Sequence, residues 1–176
     1  MKMEKYWGNN LTEIKEQQPM SSDLKKIDYL QENCKCHYID ILPQRVTSQD
    51  YFELEEYLLN TFLQKFSERI INIILKLIHY YPTKIYLTEF YRPSEEGYES
   101  LVEQNLRSLP LTKIADIISY VIMNDNSSIQ VLLEHENQSL ISINGHFSVD
   151  IYNASPELLS LLNLLVTQEN LFLREE

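Results

Sequence analysis

Residues 129–152 read IQVLLEHENQSLISINGHFSVDIY, and the fold turns on how this stretch is divided. Apolar and polar residues alternate through Ile129–Glu136, Leu140–Ile143 and Phe147–Tyr152, the period of half-buried strands. Asn137 and Asn144-Gly145 separate them, and both are turn signals. If each turn spans three residues, Val131, Leu133, Ile141, Ile143, Phe147, Val149 and Ile151 fall on one face. A strict two-residue Asn-Gly turn would divide that set between the two faces. The pattern therefore predicts a three-residue or bulged turn at Asn144-Gly145-His146, with a mostly polar opposite face of Gln130, Leu132, Glu134, Ser142, Ser148, Asp150 and Tyr152.

C-terminal to this meander, Ser155-Pro156-Glu157 sets a cap, a first-turn proline and a first-turn acid in the order that starts a helix. Leu158, Leu161, Leu162 and Leu165 supply its apolar stripe. N-terminal to the meander, Ile114, Ile117, Ile118, Val121 and Ile122 follow i, i+3, i+4, i+7 and i+8 spacing, a second helix. Lys84–Phe90 reads as a strand, and Tyr98–Leu106 as a modest helix. Thr47, Ser48 and Asp50 open a longer helical pattern that runs through Leu59, Leu63, Phe66, Ile70, Ile74 and Leu77 until Pro82 stops it. So long a run predicts a break near Ser67. Ser22 caps a short helix carrying Leu24, Ile27 and Leu30, and His37–Leu42 is a strand closed by Pro43. Residues 1–21 are polar and aperiodic, an extended arm before a single domain over 22–176. The expected class is α+β, a mostly antiparallel sheet with a C-terminal three-strand meander and helices packed on one face. Ile70, Ile74, Leu77, Ile118, Val121, Ile141, Val149, Leu161 and Leu165 should form its core.

A chain of 176 residues buries enough surface to fold without a disulfide or a metal. Its two cysteines, Cys34 and Cys36, are too close together to staple distant segments. No apolar stretch approaches the ~20 residues of a membrane span, and the first ten residues hold no secretory core, so a cytoplasmic location is expected.

Charge is the most telling bulk property. Net charge is −11, and the excess is uneven. Residues 1–30 hold five basic and five acidic side chains, whereas 111–176 hold two basic and nine acidic. Between Ile114 and Leu173 there is no Lys or Arg in 60 residues. Such a surface repels phosphate backbones and anionic membranes, which argues against nucleic-acid and membrane binding. It suits a basic protein partner, with Glu95, Glu96, Glu134, Glu136 and Asp150 as candidate contacts.

No residue pattern carries catalysis. Cys34-Lys35-Cys36-His37 has ligand chemistry, but its one-residue spacing and lack of a second pair do not make a zinc site. In Glu134-His135-Glu136, strand alternation turns the imidazole away from both carboxylates. Glu134 and Asp150 could share the polar face as an acid/base or cation pair, yet solvated acids are the simpler reading. Serine elbows and glycine-rich phosphate loops are absent. Twelve tyrosines are many for this length, and six of them, Tyr51, Tyr57, Tyr80, Tyr81, Tyr86 and Tyr91, lie on the long helix and around the second strand.

The last third resembles the small acidic cytoplasmic proteins of bacterial toxin–immunity pairs, which end in a meander, a capped helix and a terminus like Leu171-Phe172-Leu173. That resemblance implies an inhibitor that occludes a partner without catalysis and needs no cofactor. The alternative is an enzyme or small-ligand binder whose site is assembled from dispersed residues. A flat acidic face lined with tyrosine would favour the first, and a deep pocket with convergent polar groups the second.

Overall fold

The computed structural model describes residues 22–44, 51–94 and 96–175. The expected arm over 1–21, the helix-opening Thr47, Ser48 and Asp50, and Glu95 lie outside them. The described chain is α+β. Helices are α1 Ser22–Asn33, α2 Tyr51–Thr61, α3 Leu63–Tyr80, α4 Leu111–Asn124 and α5 Pro156–Gln168. Strands are β1 Cys36–Asp40, β2 Thr83–Leu87, β3 Ile129–Leu133, β4 Ser139–Ile143, β5 Val149–Tyr152 and β6 Phe172–Glu175. They form one open antiparallel sheet in the order β2-β3-β4-β5-β1-β6.

The meander registers as its alternation requires. Val131 pairs with Ile141 and Ile141 with Ile151, while Ile143 joins Ile129 to Val149. The odd-numbered set therefore shares one face, and α3, α4 and α5 pack on it. Phe66, Ile70, Ile73, Ile74 and Leu77 of α3 are wholly buried there with Ile117, Val121 and Ile122 of α4 and Leu158, Leu162 and Val166 of α5. Of the expected core, only Leu161 is half-buried, at the margin of the same cluster.

The β4–β5 turn spans Gly145-His146-Phe147, one residue later than expected, closed by Asn144 N–H to Ser148 O at 2.9 Å. The left-handed position falls on His146 (φ 55°) and not on the glycine. Gly145 is required for another reason: a Cβ there would collide with the side chain of Asp125 at the end of α4. Phe147 leaves the strand but still reaches the core, edge-on to Phe66 at 5.1 Å.

Three elements differ from the sequence reading. The long helix breaks at Phe62, not near Ser67. Phe62 leaves helical geometry (φ −120°, ψ −18°) with the Arg69 guanidinium 4.9 Å over its ring, whereas Ser67 lies buried in an unbroken α3. The modest helix over Tyr98–Leu106 is instead two 3₁₀ turns, Tyr98–Leu101 and Leu106–Ser108. These turns cover the outer edge of β2, where Asn105 Oδ1 accepts from Ile85 N–H at 3.2 Å and Leu87 O from Glu103 N–H at 3.0 Å. Finally, Phe172–Glu175 is a sixth strand, paired with β1.

The second face of the sheet is partly covered as well. Ile27 and Leu30 of α1 pack on Tyr86, Leu132 and Leu140, forming a smaller apolar cluster separate from the main core. No helix among the described residues is long and apolar enough to cross a membrane.

Candidate functional site

On the α1 face one ammonium meets two carboxylates. Lys84 of β2 places Nζ 3.0 and 3.1 Å from the two carboxylate oxygens of Asp23, in the first turn of α1. The same ammonium lies 3.1 Å from Glu134, immediately after β3. Tyr86 donates its phenol to Asp23 at 2.6 Å. Hydrogen bonds from Tyr86 and Lys84 hold the Asp23 carboxyl below its usual range. The two carboxylates raise Lys84 beyond the ordinary lysine value, and burial with the Asp23 contact pushes Tyr86 up to about 12. A lysine kept protonated is no nucleophile, and a phenol this reluctant to ionise is no general base. The cluster fastens α1 to the sheet.

A polar row crosses all six strands beside it: Tyr86, Gln130, Ser142, Asp150, Tyr38 and Arg174 are successive cross-strand partners. Gln130 Nε2 donates to Ser142 Oγ at 3.0 Å, Ser142 to Asn144 Oδ1 at 3.2 Å, and Asn144 Nδ2 to Asp150 at 3.0 Å. Farther along, Arg174 lies 3.2 Å from Asp40 and donates to Leu42 O at 3.0 Å. Gln130, Ser142, Asn144 and Asp150 thus bond one another along one face of the sheet.

The candidate acids distribute over both ends of the sheet. Glu96 is exposed in the loop after β2. Glu134 and Glu136 lie at the other end of that strand, in the β3–β4 turn, and Asp150 sits within β5. Glu134 and Glu136 are therefore neighbours, Glu96 is remote from them, and Asp150 belongs to the polar row.

The β3–β4 end gathers further groups that the charge pattern did not single out. Asn153 Nδ2 donates to Asn137 O and Gln138 O at 2.6 and 2.9 Å, tying the turn to the start of α5. Ser139 donates to Asn153 O at 2.7 Å, so the 2.8 Å contact from His135 Nε2 to Ser139 Oγ makes Nε2 the protonated nitrogen. His135 is a structural histidine, stacked at a tilt on Tyr81 with ring centroids 5.6 Å apart. Ser155 caps α5 by accepting from Leu158 N–H at 3.2 Å. Glu157, in the first turn, is exposed, and its own backbone N–H and the Ser155 hydroxyl hold its carboxyl below the usual range. Tyr80 stands 64% exposed at the end of α3, next to Tyr81. The exposed Glu136 lies on the β3–β4 turn that Asn153 ties to the residues before α5, with Tyr81 beside His135 and Glu157 in the first turn of that helix, whereas Tyr80 lies with Lys76, His79 and Leu111 between α3 and α4. Glu157 was legible only as a helix-start residue, because the placing of the α5 start beside the β3–β4 turn depends on how β5 returns to that turn.

Cys36 pairs across the sheet with Tyr152 and His37 with Ile151, so thiol and imidazole point to opposite faces. Among the described residues no group of three His, Cys, Asp or Glu side chains is placed to hold a metal ion. His37 is buried, and desolvation followed by the nearby Lys35 charge lowers its basicity. No protein-family model, curated protein or solved structure matches the chain.

Proposed function

We propose that this chain is a non-catalytic protein-binding module that takes a basic partner on the acidic end of its sheet, in the manner of an immunity-type inhibitor that occludes its target. One observation carries the reading: the interval from Ile114 to Leu173 without Lys or Arg builds α4 after its first turn, β3, β4, β5 and α5, and ties the β3–β4 turn to the connection before α5. Its acids there find few cations. Lys84 neutralises Glu134, but no ion pair among the described residues reaches Glu136 or Glu157, and both are exposed. One-signed surface steers an oppositely charged protein, and the half-buried Tyr81 beside His135 supplies rigid contact area with a polar tip.

Testing the reading requires variants that spare the fold. Glu134 and Asp150 are poor choices because each holds a structural contact. Glu136→Lys changes surface charge alone, and Glu157→Gln removes a charge while its amide oxygen can still accept from the Ser155 hydroxyl. The tagged wild-type chain should capture a basic protein from its host, and the double variant should lose it with an unchanged circular dichroism spectrum. Capture unaffected by the double variant would remove the acidic end from the interface.

A further inference from the structure

At the far end of α3 from this acidic surface lies α2, in which no side chain among the described residues is buried. A surface helix ordinarily turns apolar side chains inward and polar ones outward. The inner side of α2 follows the rule, with Leu54, Leu58 and Leu59 half-buried. The outer side breaks it. Phe52 is 73% exposed and Tyr57 63%, flanked by the exposed Glu53 and Glu56. At 3.6 residues per turn these four occupy an arc of about 140°, one continuous stripe. Such an eleven-residue helix is marginal by itself in water, so two large aromatics left in solvent are unexplained by its own stability.

We propose that the outer stripe of α2 docks a basic amphipathic helix of another protein, with Phe52 and Tyr57 as anchors. The inference rests on the reading of the chain as a protein-binding module but places contact on a different surface. Charge selects the occupant. α2 holds Glu53, Glu55 and Glu56 and no Lys or Arg, so a second copy would bring three acids against three. Residues 1–21 carry three Lys and three acids and offer no complementary charge. A cationic helix places ammonium or guanidinium groups over the aromatic rings and beside the glutamates at once. The chain itself uses this contact elsewhere, with Arg69 4.9 Å over Phe62 and Lys113 4.5 Å over Tyr98.

The α2 stripe and the acidic end are separated by the length of α3, about 27 Å at 1.5 Å per residue, so they can be told apart. The full chain, labelled with ¹⁵N, is titrated with three 14-residue helical peptides made of Leu with Lys, Leu with Gln or Leu with Glu. The Leu/Lys peptide should shift amides of Phe52, Glu53, Glu56 and Tyr57 first. Its affinity should fall at least tenfold in Phe52→Ala/Tyr57→Ala and in Glu53→Lys/Glu56→Lys, and stay within twofold in Glu136→Lys. The exposed positions of these changes leave the fold intact, which circular dichroism checks. Equal binding of the Leu/Gln peptide, shifts centred on 134–138 and 155–157, or no binding would overturn the assignment. So would a dimer in sedimentation that Phe52→Ala dissociates, or a tenfold gain in peptide affinity on deleting residues 1–21. Shifts centred on the acidic end would overturn this inference while supporting the function proposed above. Loss of host-protein capture by the acidic-end variant, with α2 binding intact, would separate the two surfaces.

Discussion

The two faces of the sheet are built on opposite principles. Along one, Ile85, Val131, Ile141 and Ile151 are successive partners, each wholly buried under α3, α4 and α5. One residue over, Tyr86, Gln130, Ser142 and Asp150 form the polar row that α1 covers in part. The apolar face derives its stability from area and packing, which are indifferent to direction. The polar face contributes little area, but each of its side chains demands a partner in a defined place. The first makes the molecule compact, and the second fixes how α1 and the strands are registered.

That contrast breaks first at the core. Ile74 is wholly buried in α3, and Ile74→Ala should cost on the order of 2–5 kcal/mol, read from urea unfolding. A loss near zero would mean that the covered face does not carry the stability.

On the other face the currency is hydrogen bonding. Ser142→Ala deletes the acceptor of the buried Gln130 amide and should cost about 1–3 kcal/mol, the penalty for an unsatisfied polar group. Gln130→Leu in that background should restore part of the loss. A double variant no better than Ser142→Ala would show that the row is not a coupled network.

The smallest effect belongs to the half-buried cluster under α1. Lys84→Met should cost about 1 kcal/mol or less at neutral pH, in keeping with partly exposed ion pairs. Its sharper signature is pH dependence. Asp23 is held below its ordinary value of 3.8, so its contribution is present above that pH and is lost as pH falls through the folded-state value. Lys84 is raised, so its contribution is full below 10.5 and is lost only as pH rises past the folded-state value. Lys84→Met should flatten the acid limb of the stability curve, and amide exchange in α1 should accelerate before exchange in α3. An unchanged acid limb would take Lys84 out of the anchor.

Much of the architecture was legible because periodicity reports burial. The odd-numbered set from Val131 to Ile151, the α4 stripe and the Ser155-Pro156-Glu157 start all read directly from spacing. What was hidden depends on remote neighbours. Phe172-Leu173-Arg174-Glu175 has no turn signal of its own and becomes a strand because β1 offers it an edge. The break at Phe62 is tertiary too, since α3 buries a full stripe under the sheet whereas α2 touches the margin of the core only through half-buried residues such as Leu59. The candidate surface shows the same division. One-signed charge was visible along the chain, but that the β3–β4 turn of Glu136 is tied to the connection before α5, and that Glu96 lies at the other end of β2, required the strand pairing. Gln130 and Ser142 read from spacing only as members of a polar face; their burial, with Gln31 of α1 reaching Gln130, depends on remote packing.

The proposed function is tested most directly by the association rate of the captured basic partner, followed by stopped-flow across a salt series. If the acidic end steers binding, the rate should fall by about tenfold or more between ~10 mM and ~0.5 M salt, as screening shortens the reach of the field. Glu136→Lys/Glu157→Gln should lower the low-salt rate and flatten that dependence, with the dissociation rate nearly unchanged. An association rate that ignores both salt and these two substitutions would contradict the account.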